Sequence, residues 1–311
     1  MYRVSKPKFC RAITVLLLGL IVLLSTGCEE EVAAPDPHAY PYSLWGVLSP
    51  LADTQFVRVF PIEPRLTPGE AERLDAHLIS TELETDTERT WESSFTVDST
   101  GLVSHAFFAP FRPKWGRRYR LEITRSDGAS SWVDVEIPEQ MTLVLGEPDS
   151  TRDVVLPASI QGDAQHLLKS EVEIYVSYVV GFTPPPVSLP IYEYFRYVIP
   201  FDDQLQRTTE GYQLTIGLER TYFPVLNEVS QDENFIESEG IRLLLVTFSV
   251  LVANEEWMPP GGVFDPNVLV QPGAMENVEN GFGFVGGGYR LTRSWTLPFE
   301  LVEKTNFRPN R

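Results

Sequence analysis

Apolar and polar side chains alternate in short runs along most of this chain. In Tyr119-Arg120-Leu121-Glu122-Ile123 the apolar residues alternate with charges, and Val133-Asp134-Val135-Glu136-Ile137 repeats the pattern. A period of two sets one group of side chains on one face of a strand. Asp127-Gly128, in the connection between the two runs, is a hairpin signal. "YSLWGVLS", "FVRVFPIE", "TWESSFTVDS" and "HAFFAPF" also read as short strands between turn residues. Residues 42–140 are therefore expected to form an immunoglobulin-like β-sandwich lacking the usual disulfide. Thr67-Pro68-Gly69-Glu70 has the chemistry of a helix start, but "HLISTEL" soon after it alternates as a strand, so any helix there is brief.

The stretch from Pro138 to Thr151 is turn-rich and reads as a domain boundary. Beyond it, residues 141–311 are expected to form a second β-rich, sandwich-like domain. Val172, Ile174, Val176 and Tyr178 alternate with Glu171, Glu173, Tyr175 and Ser177, and "GYQLTIGL" does the same. Ile241 to Val252 is nearly all apolar, the pattern of a central strand covered on both faces and too short to span a bilayer as a helix. "RTYFPVLNEVSQDENFIESEG" breaks the strand pattern and reads as loop with a helical turn. The fold class is thus mainly β, with two β-sandwich-like domains.

Near the C-terminus, "NGFGFVGGGYR" places Gly281, Gly283 and Gly286 at G-x-G-x-x-G spacing. A dinucleotide site needs a helix after that fingerprint. Gly287 and Gly288 would not open one, and "YRLTRSWTLP" continues as a strand. The glycines are therefore read as close backbone packing, with Phe282 and Phe284 on one face and "GGG" as a bend or bulge. No nucleotide site is expected.

The N-terminus changes the picture of where the chain resides. Arg3, Lys6, Lys8 and Arg11 precede an apolar run from Ile13 to Leu24, the layout of a secretory signal peptide. The run ends in "LLSTGCEE", a lipobox with Gly27 before the cut and Cys28 after it; Ser25 stands where an aliphatic residue is usual. Of the two cysteines, Cys10 leaves with residues 1–27. Cys28 would be an unpaired thiol in an oxidising compartment, which acylation explains. Residues 28–41 are acidic and then Pro/Ala-rich, a tether. Glu29, Glu30 and Glu31 resemble a surface-export signal, though a solvated charge run is the plainer account. After cleavage 21 basic side chains face 43 acidic ones, a formal balance of −22. Such a field repels phosphate backbones, so nucleic acid is not an expected partner.

Catalytic motifs are absent from the sequence. His38, His77, His105 and His166 are scattered, no metal-ligand spacing occurs, and no cofactor is implied. Asp202-Asp203 and Glu255-Glu256 are adjacent acids in an acid-rich chain. Two stretches offer binding chemistry. "GFTPPPVSLPIYEYFRY" sets Tyr192, Tyr194 and Tyr197 beside a proline-stiffened loop, and "NEEWMPPGGVFDP" carries Trp257. Exposed aromatics on stiff loops, as both stretches are read, suit sugar or peptide contact; ordinary core packing is the competing account.

The lipobox, the opening "LWGVLSPLADTQFVRVFPI" and the ending "NVENGFGFVGGGYR" together resemble the Bacteroidota lipoproteins of domain of unknown function 4249. Asn280, Gly281, Phe282, Gly283 and Phe284 carry the match at the C-terminal end. The resemblance implies an envelope location, often near outer-membrane uptake systems, and brings no catalytic residues. The expectation is a lipid-anchored, surface-exposed outer-membrane protein acting as a non-enzymatic accessory or ligand-binding module, with a transporter complex as candidate partner. A hydrolase acting on polysaccharide or peptide, and a purely structural surface protein, are the alternatives.

Overall fold

A computed structural model describes residues 40–62, 73–97, 103–151, 153–163, 166–185, 187–200, 204–257 and 275–310. The signal segment with Gly27, the tether with Cys28 and Glu29 to Glu31, the expected helix start at Thr67, the Asp202-Asp203 doublet and Met258 lie outside the described residues.

The protein is mainly β and sandwich-like. The first sandwich contains β1 (Tyr42–Leu48), β2 (Gln55–Pro61), β3 (His77–Glu82), β4 (Thr87–Thr90), β5 (Glu92–Val97), β6 (Val103–Ala109), β7 (Arg118–Thr124) and β8 (Ser130–Glu136). One of its sheets runs β1-β2-β6-β5, and the other runs β4-β3-β7-β8. That is the A-B-E-D and C′-C-F-G order of an immunoglobulin sandwich. The alternation read from the sequence fills its core: Tyr119, Leu121 and Ile123 of β7 and Val133 and Val135 of β8 are buried against Leu44, Val57, Val59 and Phe107. Asp127-Gly128 does turn the β7–β8 hairpin. Tyr119, at the start of the F-position strand, accepts a hydrogen bond on its hydroxyl from the Lys114 N–H at 2.9 Å. This is the tyrosine-corner contact of that fold. Below it Glu82, 1% exposed, is bonded by the Lys114 ammonium at 2.8 and 3.0 Å.

The second sandwich repeats the same plan, which the sequence did not announce. Its strands are β9 (Thr142–Leu145), β10 (Val155–Gln161), β11 (His166–Phe182), β12 (Pro190–Pro200), β13 (Gln206–Thr208), β14 (Gly211–Gly217), β15 (Ile241–Ala253) and β16 (Gly281–Trp295). They pair as β9-β10-β14-β13 and β12-β11-β15-β16. Strand for strand, each occupies the place held by the strand eight positions earlier.

Two expectations are corrected here. The segment read as loop with a helical turn begins with α1 (Leu218–Val229), in which Leu218, Thr221, Val225 and Val229 are buried. Their spacing of three and four makes one helical stripe. Pro224 inside the helix, and the start directly after β14 without a side-chain cap, hid it from the sequence. The stretch with Tyr192, Tyr194 and Tyr197 is the edge strand β12, not loop.

Strand β16 joins the sheets of the two sandwiches. Gly281 to Gly287 of β16 pair in parallel with β1, and Gly288 to Trp295 pair with β15. The joint sheet has nine strands. The glycine fingerprint is this junction. Gly283 has φ +100, and a Cβ there would strike the Leu44 carbonyl and the Trp45 ring. A Cβ at Gly287 would strike the Glu136 carbonyl, where the chain leaves β8. Tyr289 holds the connection from the other side: its hydroxyl donates to the Glu139 carbonyl at 2.8 Å and accepts from the Met141 N–H at 2.7 Å.

Candidate functional site

Strand β16 ends at Trp295, opposite Val246. The first residues of β15 are thereby left without a neighbour on that side. The C-terminal segment turns back to cover them. It passes through α2 (Phe299–Val302) and ends in β17 (Arg308–Pro309), which lies parallel to β15 with Arg242 opposite Arg308. Val302 and Phe307 are buried, and the Phe307 ring meets Tyr222 of α1 edge-on at 5.0 Å. The tail is thus seated by its own apolar residues, and its polar side chains are free to line a surface.

The register places one transverse row across four strands. Tyr194 of β12 lies opposite Ser177 of β11, Ser177 opposite Arg242 of β15, and Arg242 opposite Arg308 of β17. Partners opposite each other share a face, so these side chains lie on the outer side of the sheet, away from Val172, Ile174 and Val176. Three interstrand steps of about 4.8 Å make the row about 14 Å long. Tyr194 is 75% exposed and Ser177 only 4%, so the row has a raised aromatic end and a recessed floor. Next to it is a cavity of about 330 Å³ lined by Arg242, Glu303, Arg308 and Pro309.

Arg242 is the unusual member. Its guanidinium lies over the Tyr192 ring at 4.9 Å, a contact worth about 0.5–2 kcal/mol. Among the described residues it has no ion pair and no side-chain hydrogen bond, and its Nε is buried. A guanidinium carries five donors and no acceptor, and a buried unmade bond costs about 1–3 kcal/mol. Elsewhere on the same face the charges are matched. Arg196 approaches Glu173 at 3.6 Å, Arg290 approaches Glu171 at 3.3 Å, and Lys169 approaches Glu171 at 3.7 Å. The Tyr175 hydroxyl donates to Glu173 at 2.5 Å, and this bond, with burial behind it, raises the phenol above its ordinary range. Arg308 donates to the Ser238 carbonyl at 2.7 Å and likewise has no carboxylate partner among the described residues.

The four aromatic contacts expected from sequence divide. Tyr192 and Tyr194 share the outer face. Tyr197 points the other way and packs against the core with Phe195 and Ile199. Trp257 is corrected: it is 6% exposed and meets Phe284 edge-on at 5.2 Å, because the glycines of β16 leave room for its indole. It follows the far end of β15, so the two aromatic stretches do not meet. His105 is buried, which lowers its pKa. Arg242 had one sequence signal, as the lone charge in the apolar run Ile241 to Val252; Arg308 and Glu303 had none.

In the Glu255-Glu256 doublet, burial raises the Glu256 carboxyl above its usual range, against a hydrogen bond from Asn277 at 2.9 Å. Glu136 and Asp134 add to the rise, but Asp134 is already held bidentately by Arg120 at 2.7 and 2.8 Å. A second cavity, about 440 Å³, lies at the β13–β14 turn between Asp163, Arg207, Glu210 and Tyr212. No described group of histidines, cysteines and acids has metal-binding geometry.

No family model and no curated protein matches the chain. Among solved structures, a pullulanase from Anoxybacillus sp. LM18-11 aligns at 12% identity and a TM-score of 0.21. The same enzyme complexed with maltotriose aligns at 11% identity and 0.20. Each alignment covers 67% of this chain and 24% of the other. Scores that low carry no argument about fold or function.

Proposed function

We propose that this is a lipid-anchored cell-envelope protein, a non-enzymatic ligand-binding or accessory module that works beside an outer-membrane uptake system. The observation that carries the binding role is the outer-face row, which has an exposed Tyr194 at one end and, two strands away, an Arg242 that lacks an acceptor among the described residues and lines a cavity with Arg308. The anchor rests on the lipobox and Cys28.

Topology supports an outward-facing role for the row. The tether joins at Tyr42, which pairs with Gly281 at the start of β16. The row lies beyond the other end of that strand, roughly 50–60 Å away at about 3.3 Å per residue. Attachment at the Tyr42 end leaves the row accessible beyond the opposite end of that strand. The acidic balance keeps the body clear of anionic headgroups.

Two measurements on cells test the reading. Palmitate labelling should mark the wild type and spare Cys28→Ala. Protease added to intact cells should degrade the protein. Labelling that survives the substitution removes the anchor, and protection until lysis removes the surface location.

A further inference from the structure

The chemistry of the row narrows the ligand. We infer that it binds an acidic saccharide, a short chain of sugar rings bearing a carboxylate such as a uronate. The carboxylate would sit on Arg242 and Arg308, and a ring would stack on Tyr194. This rests on the binding reading above but not on the lipid anchor.

Three observations combine. First, Arg242 and Arg308 lie opposite each other on adjacent strands at one cavity, and neither has a carboxylate partner among the described residues. Arginine presents paired donors that match a carboxylate in bidentate fashion. In a chain with 43 acidic side chains, partners were available, and the other arginines of this face have them. The Tyr192 ring under Arg242 holds the guanidinium in place before a ligand arrives. On the Arg308 side the backbone is shaped around the side chain: Gly240 has φ +65, and a Cβ there would come within 2.6 Å of the Arg308 Nε.

Second, the row offers the other contacts a sugar needs. Tyr194 is a largely uncovered ring, able to stack on the C–H face of a pyranose. Glu303 lines the cavity and supplies an acceptor for hydroxyl groups.

Third, direction separates a saccharide from a peptide. The row crosses four strands, so a ligand lying along it meets side chains only. An acidic peptide would use the backbone edge of β12 that is unpaired among the described residues and run along that strand, where it could not reach Arg242 and Arg308 together.

The test uses the full mature chain with Cys28→Ser, purified without lipid, so that a failed anchor leaves the outcome unaffected. Binding of a galacturonate oligosaccharide is measured by calorimetry against a neutral galactose oligosaccharide of equal length and a glutamate peptide of equal charge. The galacturonate should bind at least about tenfold more tightly than either, and less tightly as salt rises. Arg242→Gln and Arg308→Gln should each weaken it about tenfold or more, and Tyr194→Ala by a similar factor, with the thermal midpoint retained. Arg242→Gln should leave stability equal or higher, since it removes a buried donor that lacks an acceptor. Binding of the neutral oligosaccharide or the peptide as tightly as the galacturonate overturns the inference. So does an absence of galacturonate binding by the folded wild type. If Arg242→Gln fails to fold, Arg308→Gln and Tyr194→Ala decide: unchanged affinity in both refutes the site.

Discussion

Replacing Gly283 by alanine tests the account of the glycine-rich strand. Gly283 sits at φ +100, a region that L side chains rarely adopt. Forcing a non-glycine residue into such a conformation costs about 1–3 kcal/mol. The added Cβ would also meet the Leu44 carbonyl and lie 3.0 Å from two atoms of the Trp45 ring, so β1 and β16 must separate. Overpacking of this kind adds about 1–3 kcal/mol. The two together give about 2–6 kcal/mol, a large part of a typical stability of about 5–15 kcal/mol. A control isolates the second component. Gly128, in the β7–β8 turn, has φ +89 with nothing within 4 Å of its Cβ position, so Gly128→Ala should show the backbone strain alone. Urea unfolding followed by tryptophan fluorescence, with Trp45 at the junction, reads both variants. Gly283→Ala should cost at least about 1 kcal/mol more than Gly128→Ala, the lower end of the overpacking range. Equal costs would show that close strand approach is not why glycine stands there, and ATP or NAD binding lost in Gly283→Ala would restore the nucleotide reading.

Two further outcomes follow from the buried polar groups. Lys114→Ala should lower stability by about 1–3 kcal/mol, because Glu82, 1% exposed, loses the ammonium that bonds both of its carboxyl oxygens; a change under about 1 kcal/mol in thermal or urea unfolding would count against that pair. Alkaline pH should destabilise the fold. Burial pushes the phenols of Tyr42 and Tyr289 from an ordinary 10.0 up to about 12. A raised folded value means that the folded chain keeps protons the unfolded chain has released. The stabilisation is therefore complete below pH about 10 and is lost as pH rises to about 12. Tyr289→Phe should shrink that loss, and a pH dependence identical to wild type between those limits would refute the assignment.

The sequence by itself determined the strand content and the first sandwich. Alternation in β7, β8 and β11 is local, and burying one face of each strand follows from a period of two whatever lies opposite. The Asp-Gly turn and the absence of a helix after the glycines were equally local facts. The sequence also supplied Tyr192 and Tyr194, as aromatics beside a proline-stiffened loop. Only the tertiary structure decided the rest. That the second half repeats the immunoglobulin strand order is a matter of which strands pair, and pairing partners lie far apart along the chain. α1 was hidden because Pro224 masks a stripe whose burial depends on the sheet beneath it. Trp257 went into the core and Tyr194 outward for the same reason: neighbours, not residue type, set exposure. The candidate site is the clearest case. Tyr194, Ser177, Arg242 and Arg308 are scattered over more than a hundred residues, and only strand register sets them in one row.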